Sequence, residues 1–238
     1  MIPSLIITID GPAGTGKSSV AHRLAQRLGL EFLDTGAMYR AVALVAIEQQ
    51  LSPDGGRGLG AAIEREPPRF DWTTSPPRLM IGARDVSDRI RDADVTAIVS
   101  RVAACPEVRR HMVALQRAAA MEHPRLVTEG RDQGSVVFPD AALRIYLDAD
   151  PIVRAQRRGE QLKACGRPAG EAEILQGILS RDRSDSDRSE GPLRVPIGAE
   201  RVDTSELDLE GVVDCLESLA RNRIGQRLTH SAVATDRP

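Results

Sequence analysis

The chain has 238 residues, 41% of them hydrophobic and 28% charged, with a net charge of −2. That length suits one large α/β domain, or a core domain with a small insertion. The near balance of charge excludes a global basic field of the kind that gathers nucleic acid, and no apolar run approaches the roughly 18 residues a membrane span needs.

Lys17 and Lys163 are the only lysines among 32 basic residues; the rest are arginine. A chain that rarely uses lysine places one at the end of a glycine loop. The three cysteines form no CxxC pair and the four histidines have no metal-ligand spacing, so a reduced, cytoplasmic setting is expected. The opening MIPSLIITID has no basic leader, and its apolar run ends at Asp10, as expected of a first strand and not an export signal.

In chain order, Leu5 to Ile9 is a β-branched apolar run of the buried parallel kind. A helix starting near Lys17 carries Val20, Leu24 and Leu28 on one stripe, with Gly29 as its stop. Glu31 to Leu33 predicts a short strand leading into DTGAMYR and a helix to about Gln50. Residues 52–60, SPDGGRGLG, read as a flexible connection. Short apolar pieces around prolines at 67–91 predict a small antiparallel insertion. Helical patterns at 92–104 and 107–122 are divided by Pro106. RLVTEGRD predicts a buried strand emerging at Glu129, and LRIYLDAD another at 143–150. An Arg-rich helix after Pro151, a turn at 166–170 and a helix running through RDRSDSDR follow. ERVDTS is the last strand, 208–222 the last helix, and 223–238 a flexible tail. Strands alternating with helices predict a mainly parallel sheet flanked by helices.

Gly11, Pro12, Ala13, Gly14, Thr15, Gly16, Lys17 and Ser18 match G-x-x-x-x-G-K-[ST], with a strand before and an amphipathic helix after. Glycines let the backbone curl so that successive N–H groups face phosphate oxygens, and the helix N-terminus adds partial positive charge. Lys17 is then placed for the β and γ phosphates and the Ser18 hydroxyl for Mg²⁺. The competing reading is a glycine turn that merely starts a helix. The chain has no N-K-x-D for guanine, and RIYLD ends in Asp148 followed by Ala149, not the Asp-Glu of a motor ATPase.

A kinase needs a second anion site. In LDTGAMYR, the Thr35 hydroxyl, a helix N-terminus and Arg40 suit a phosphate monoester, though simple capping fits as well. Glu129, Arg131 and Asp132 would stand together at a strand's carboxyl end, where ligands bind in α/β sheets; a surface Arg–Asp pair is the alternative. Arg181, Asp185 and Arg188 share one helical face, either as part of a lid over transferring phosphates or as a solvated salt-bridged helix.

Together ITIDGPAGTGKSS, LDTGAMYR, DVSDRIR, EGRDQGSVVFPDA, YLDA and the R-D-x-x-D-x-x-R of 181–188 resemble the bacterial cytidylate kinase family, over roughly residues 5–219. The resemblance implies a P-loop kinase domain over 1–222, with a monophosphate-binding insertion at about 60–105 and an Arg-rich helical lid at about 154–190. It implies ATP and Mg²⁺ as cofactors, CMP or dCMP as acceptor, no nucleic-acid or membrane partner, and a monomer. Residues 11–19, Ser19 included, would hold ATP. Thr35, Arg40, Arg131 and Arg188 would surround the CMP phosphate; Ser100, Arg109 and Asp132 would read cytosine; Asp185 would hold the sugar; and Lys17, Arg131, Arg181 and Arg188 would be catalytic. Thr35 replaces the family's common serine, Glu129 stands where aspartate is usual, and Ser184 where some members have a lid arginine.

Overall fold

The structure, a computed structural model, describes residues 4–55, 57–164 and 166–229. Five parallel strands form the central sheet: β1 (Leu5–Asp10), β2 (Glu31–Asp34), β6 (Arg125–Gly130), β7 (Leu143–Asp148) and β8 (Glu200–Asp203), in spatial order β2-β6-β1-β7-β8. β1 lies between β6 and β7, with Ile7 opposite both Val127 and Leu143.

Parallel strands need crossovers, and helices supply them on both faces. Alternation along β1 divides the core. Leu5, Ile7 and Ile9 pack with Val20 and Leu24 of α1 (Lys17–Leu28) and with Val213 and Leu216 of α8 (Leu209–Thr229). The opposite face carries α2 (Thr35–Glu48), α3 (Arg57–Arg65), α4 (Ala93–Ala104) and α5 (Pro106–Glu122). Pro106 is the first residue of α5, where its missing N–H has no helical partner to lose.

The insertion is a three-stranded antiparallel sheet of β3 (Pro68–Asp71), β4 (Arg78–Ile81) and β5 (Arg84–Asp85), anchored by buried Leu79 and Ile81. α6 (Pro151–Ala164) and α7 (Glu171–Ser186) pair around a small core of Ala155, Ile174 and Ile178.

Three expectations are corrected. The 52–60 connection is not loop throughout, because α3 begins at Arg57. Its Gly60 serves close packing: a Cβ there would collide with Glu107 of α5. α7 ends at Ser186 with Asp187 as its cap, so Arg188 lies just beyond the helix. The last helix does not stop at 222. It continues to Thr229 across a kink at Ile224, because buried Ile224 extends the apolar contact with the sheet. Residues 230–238 of the expected tail lie outside the described residues. Among the described residues, no helix is long and apolar enough to cross a membrane.

Candidate active site

The site forms at the carboxyl ends of β1, β6 and β2. After Asp10 the chain curls through Gly11 to Gly16, with φ of +82° at both Gly14 and Gly16, the left-handed conformation that favours glycine. The turn is braced from β6's side: Asp10 accepts from the backbone N–H groups of Gln133 and Gly134, both at 2.7 Å. Burial raises the Asp10 carboxyl to about 7 against those two hydrogen bonds.

Lys17 is buried, and its Nζ donates to the Pro12 carbonyl at 2.6 Å and to Thr15 Oγ1 at 3.3 Å. Burial and the neighbouring Arg131 pull its pKa from 10.5 to about 7, although Glu129 opposes them. The Lys17 proton is therefore loosely held near neutral pH, and a polyphosphate placed against Lys17 would restore it. Binding of metal-free ATP is expected to take up protons at pH 8, where the γ-phosphate is already ionised, and the uptake should fall as pH drops toward 6. Calorimetric titrations in buffers of different ionisation heat check this. No proton uptake at pH 8 would mean that Lys17 does not meet the phosphates.

Ser18 Oγ donates to Glu129 Oε1 at 2.8 Å. Asp34 caps α2 by accepting from Ala37 N at 2.8 Å. Burial and the adjacent Glu129 carboxylate raise Asp34 to about 7. Ser19 lines a separate cavity of about 360 Å³ between α1 and the antiparallel sheet.

Beside the loop is a cavity that takes in Thr35, Arg40, Ser100, Arg109, Arg131 and Asp132. Arg181, Asp185 and Arg188 complete its wall, giving five arginines against the carboxylates of Glu129, Asp132 and Asp185. The free space is only about 60 Å³, because the side chains satisfy one another. Arg131 Nε donates to Asp185 Oδ2 at 2.8 Å, and Arg188 pairs with the other oxygen. Burial alone would raise the Asp185 carboxyl, but Arg131 and Arg188 outweigh it and hold it below the usual range.

Arg109 pairs with buried Asp132 and lies 5.7 Å from the centre of the Tyr39 ring. Burial raises the Asp132 carboxyl, against the pull of Arg109. Arg181 is lowered to about 10 by burial and Arg131. The Nε atoms of Arg181 and Arg188 are buried without a hydrogen-bond partner. Unfilled cationic donors in a buried pocket match an anionic ligand.

Two predicted residues are already engaged elsewhere. Thr35 Oγ1 donates to the Glu129 carbonyl at 2.6 Å. Arg40 donates to the Ile90 carbonyl at 3.2 Å and to Thr96 Oγ1 at 2.8 Å. Sequence reasoning missed Tyr39, which sat in plain view inside DTGAMYR but carried no charge to single it out. It also missed a contact between the helix pair and the loop: Ala13 N donates to Asp182 Oδ1 at 3.0 Å.

A family model described as cytidylate kinase matches residues 7–222. A cytidylate kinase of Mycolicibacterium paratuberculosis is 41% identical over 223 residues, 94% of this chain and 98% of its own. One of Corynebacterium efficiens is 43% identical over 215 residues, 90% of this chain and 94% of its own. Among solved structures, an uncharacterized protein from Eubacterium ventriosum has a TM-score of 0.52 at 13% identity, covering 92% of this chain and 99% of that one, a likeness of fold alone. With a phosphate loop, an arginine-lined cavity beside it and a family match over nearly the whole length, the chain belongs to the cytidylate kinase family.

Proposed function

We propose that this protein transfers the γ-phosphoryl group of MgATP to CMP or dCMP, giving ADP and the nucleoside diphosphate. The observation that carries this is the juxtaposition of the Gly11–Ser18 loop with a buried cavity holding five arginines, on adjacent strand ends. ATP takes the loop, with its phosphates on the backbone N–H groups and Lys17. The acceptor phosphate takes the cavity and replaces Asp185 as the partner of Arg131 and Arg188.

The acceptor is already an anionic oxygen, so no strong general base is required. Catalysis is alignment plus neutralisation of charge on the group in flight. Lys17 faces that charge from the loop side, Arg131, Arg181 and Arg188 from the other. The Ser18 hydroxyl and Glu129 carboxylate, 2.8 Å apart with Asp34 beside them, form an all-oxygen donor set that suits magnesium. Bound there with the triphosphate, magnesium would offset the negative charge of the β- and γ-phosphate oxygens. Asp34 gives up its proton readily near neutral pH, so it can join that donor set. The α6–α7 pair serves as a lid that keeps water from the phosphates.

ADP release measured with and without CMP tests the reaction. Strong stimulation by CMP is expected; slow release indifferent to CMP would fit a nucleotide-dependent switch instead. Arg131→Ala and Arg188→Ala should each raise KM for CMP or lower kcat by about tenfold or more, with ATP affinity changed little. If ATP affinity falls and the CMP response stays, both arginines belong to the other nucleotide.

A further inference from the structure

The lid helices grip one residue of the phosphate loop through the two peptide groups that flank it. Ala13 N donates to Asp182 Oδ1 at 3.0 Å, and the Ala13 carbonyl accepts from Arg154 NH1, also at 3.0 Å. Arg154 and Asp182 are themselves an ion pair, one from α6 and one from α7. Arg154 is buried, and its Nε donates to the Ala149 carbonyl at 2.9 Å. The helices rest directly on the next residue: a Cβ on Gly14 would lie 3.2 Å from Arg154 Cβ and 3.5 Å from Ile178 Cδ1.

We infer that Asp182, held by Arg154, is a positioning residue for the transfer step, registering the lid arginines against the phosphate loop; this rests on the phosphotransfer reading above. The chain of contacts is short. Asp182 fixes α7 to the loop that would hold the donor. Arg181 precedes it, and its buried, unpartnered Nε belongs to the acceptor cavity. Asp185, one turn on, organises Arg131 and Arg188 in the same cavity. One rigid helix thus spans both sites, and the Asp182 contact sets its position along and around its axis.

The ion pair also decides between two roles for a carboxylate on this loop. An unpaired one would act as a plug that triphosphate must expel. Asp182 is instead neutralised by Arg154, and the two together satisfy both the N–H and the C=O of Ala13, which braces the two peptide groups flanking that residue without presenting net charge to the nucleotide. Small misplacements of reacting groups cost about 100-fold in rate. Loss of the brace should therefore appear in kcat far more than in acceptor binding.

Asp182→Ala is expected to lower kcat about 100-fold, with KM for CMP changed less than about tenfold. Asp182→Asn, which still offers an oxygen to Ala13 N–H, should recover to within about tenfold of full activity. Amide hydrogen exchange at Ala13 in the nucleotide-free protein gives a readout independent of activity: protection in the unmodified chain, lost in Asp182→Ala and kept in Asp182→Asn. That measurement also separates this inference from the reaction assignment, because it holds or fails whether or not CMP is the acceptor. Full activity in Asp182→Ala, no recovery in Asp182→Asn, an unprotected Ala13 amide in the unmodified protein, or tighter ATP binding in Asp182→Ala (the mark of a plug) would each overturn it. If the alanine variant does not fold, Ala13 exchange in the unmodified and asparagine proteins still decides.

Discussion

Lys17→Ala is expected to lower kcat/KM by about 100-fold or more while leaving the fold intact. A positioned charge on the phosphates contributes about 3 kcal/mol to the barrier in comparable sites. The structure adds a reason for expecting no loss of stability. Lys17 is buried with only a carbonyl and a hydroxyl as partners, and its charged form is penalised there, as its pKa near 7 records. Between pH 7 and its unfolded value near 10.5 the unfolded chain binds the proton that the folded chain has released. This group therefore favours the folded state more as pH rises through that window, and weighs against it at lower pH. Removing the ammonium relieves that cost, offsetting the packing lost with the stem. Turnover and thermal melting at pH 7 check both halves, and near-normal turnover in a folded variant would sink the role given to this loop.

The second large effect concerns the base. Asp132 is proposed to select cytosine. One of its oxygens pairs with Arg109, which leaves the other free to accept from an exocyclic amino group. Uracil presents a carbonyl at that place, so two acceptors would face each other in a buried pocket. Sites built around one hydrogen-bonding pattern discriminate by on the order of 10⁴-fold. CMP and dCMP should both be good substrates and UMP a poor one. Asp132→Ala should lose CMP activity steeply, because it also strands buried Arg109, and the preference over UMP should shrink with it. The deciding measurement is kcat/KM for CMP and UMP in both proteins. An unchanged ratio in the variant would show that Asp132 does not face the base.

How much of this was legible depends on how local each signal is. The run Leu5–Ile9, the glycine loop and the start of α1 are written within about 20 consecutive residues, and periodicity and turn chemistry suffice to read them. Gly58 and Gly60 were legible as glycines but not as helix. Their use lies in an approach to Leu51 and Glu107, which no local pattern contains. Ser100 and Arg109 sit in helices whose apolar stripes say nothing about a polar residue facing a cavity; only the likeness to a family singled them out. The contact of Asp182 with Ala13 spans 169 positions. Side-chain spacing grouped Arg181, Asp185 and Arg188, which do line one cavity although Arg188 lies past the helix end, and left Asp182 out; it is silent about the loop.

The order of the strands has a consequence for redesign. The loop leaves β1, Arg131 leaves β6 and Thr35 leaves β2, three neighbours in one hydrogen-bonded sheet. Their separation is therefore a multiple of the roughly 4.8 Å strand spacing and is insensitive to changes in the surrounding helices. Ser100 and Arg109 stand on α4 and α5, outside that frame. The parts proposed to bring two phosphates together and the parts proposed to recognise a base are thus mounted on different scaffolds. Exchanging the 93–122 helices for those of a relative with another base preference is a graft that keeps the strand-end spacing, with Asp132, which pairs with Arg109, and Arg40, which bonds to Thr96, as the joints to be refitted.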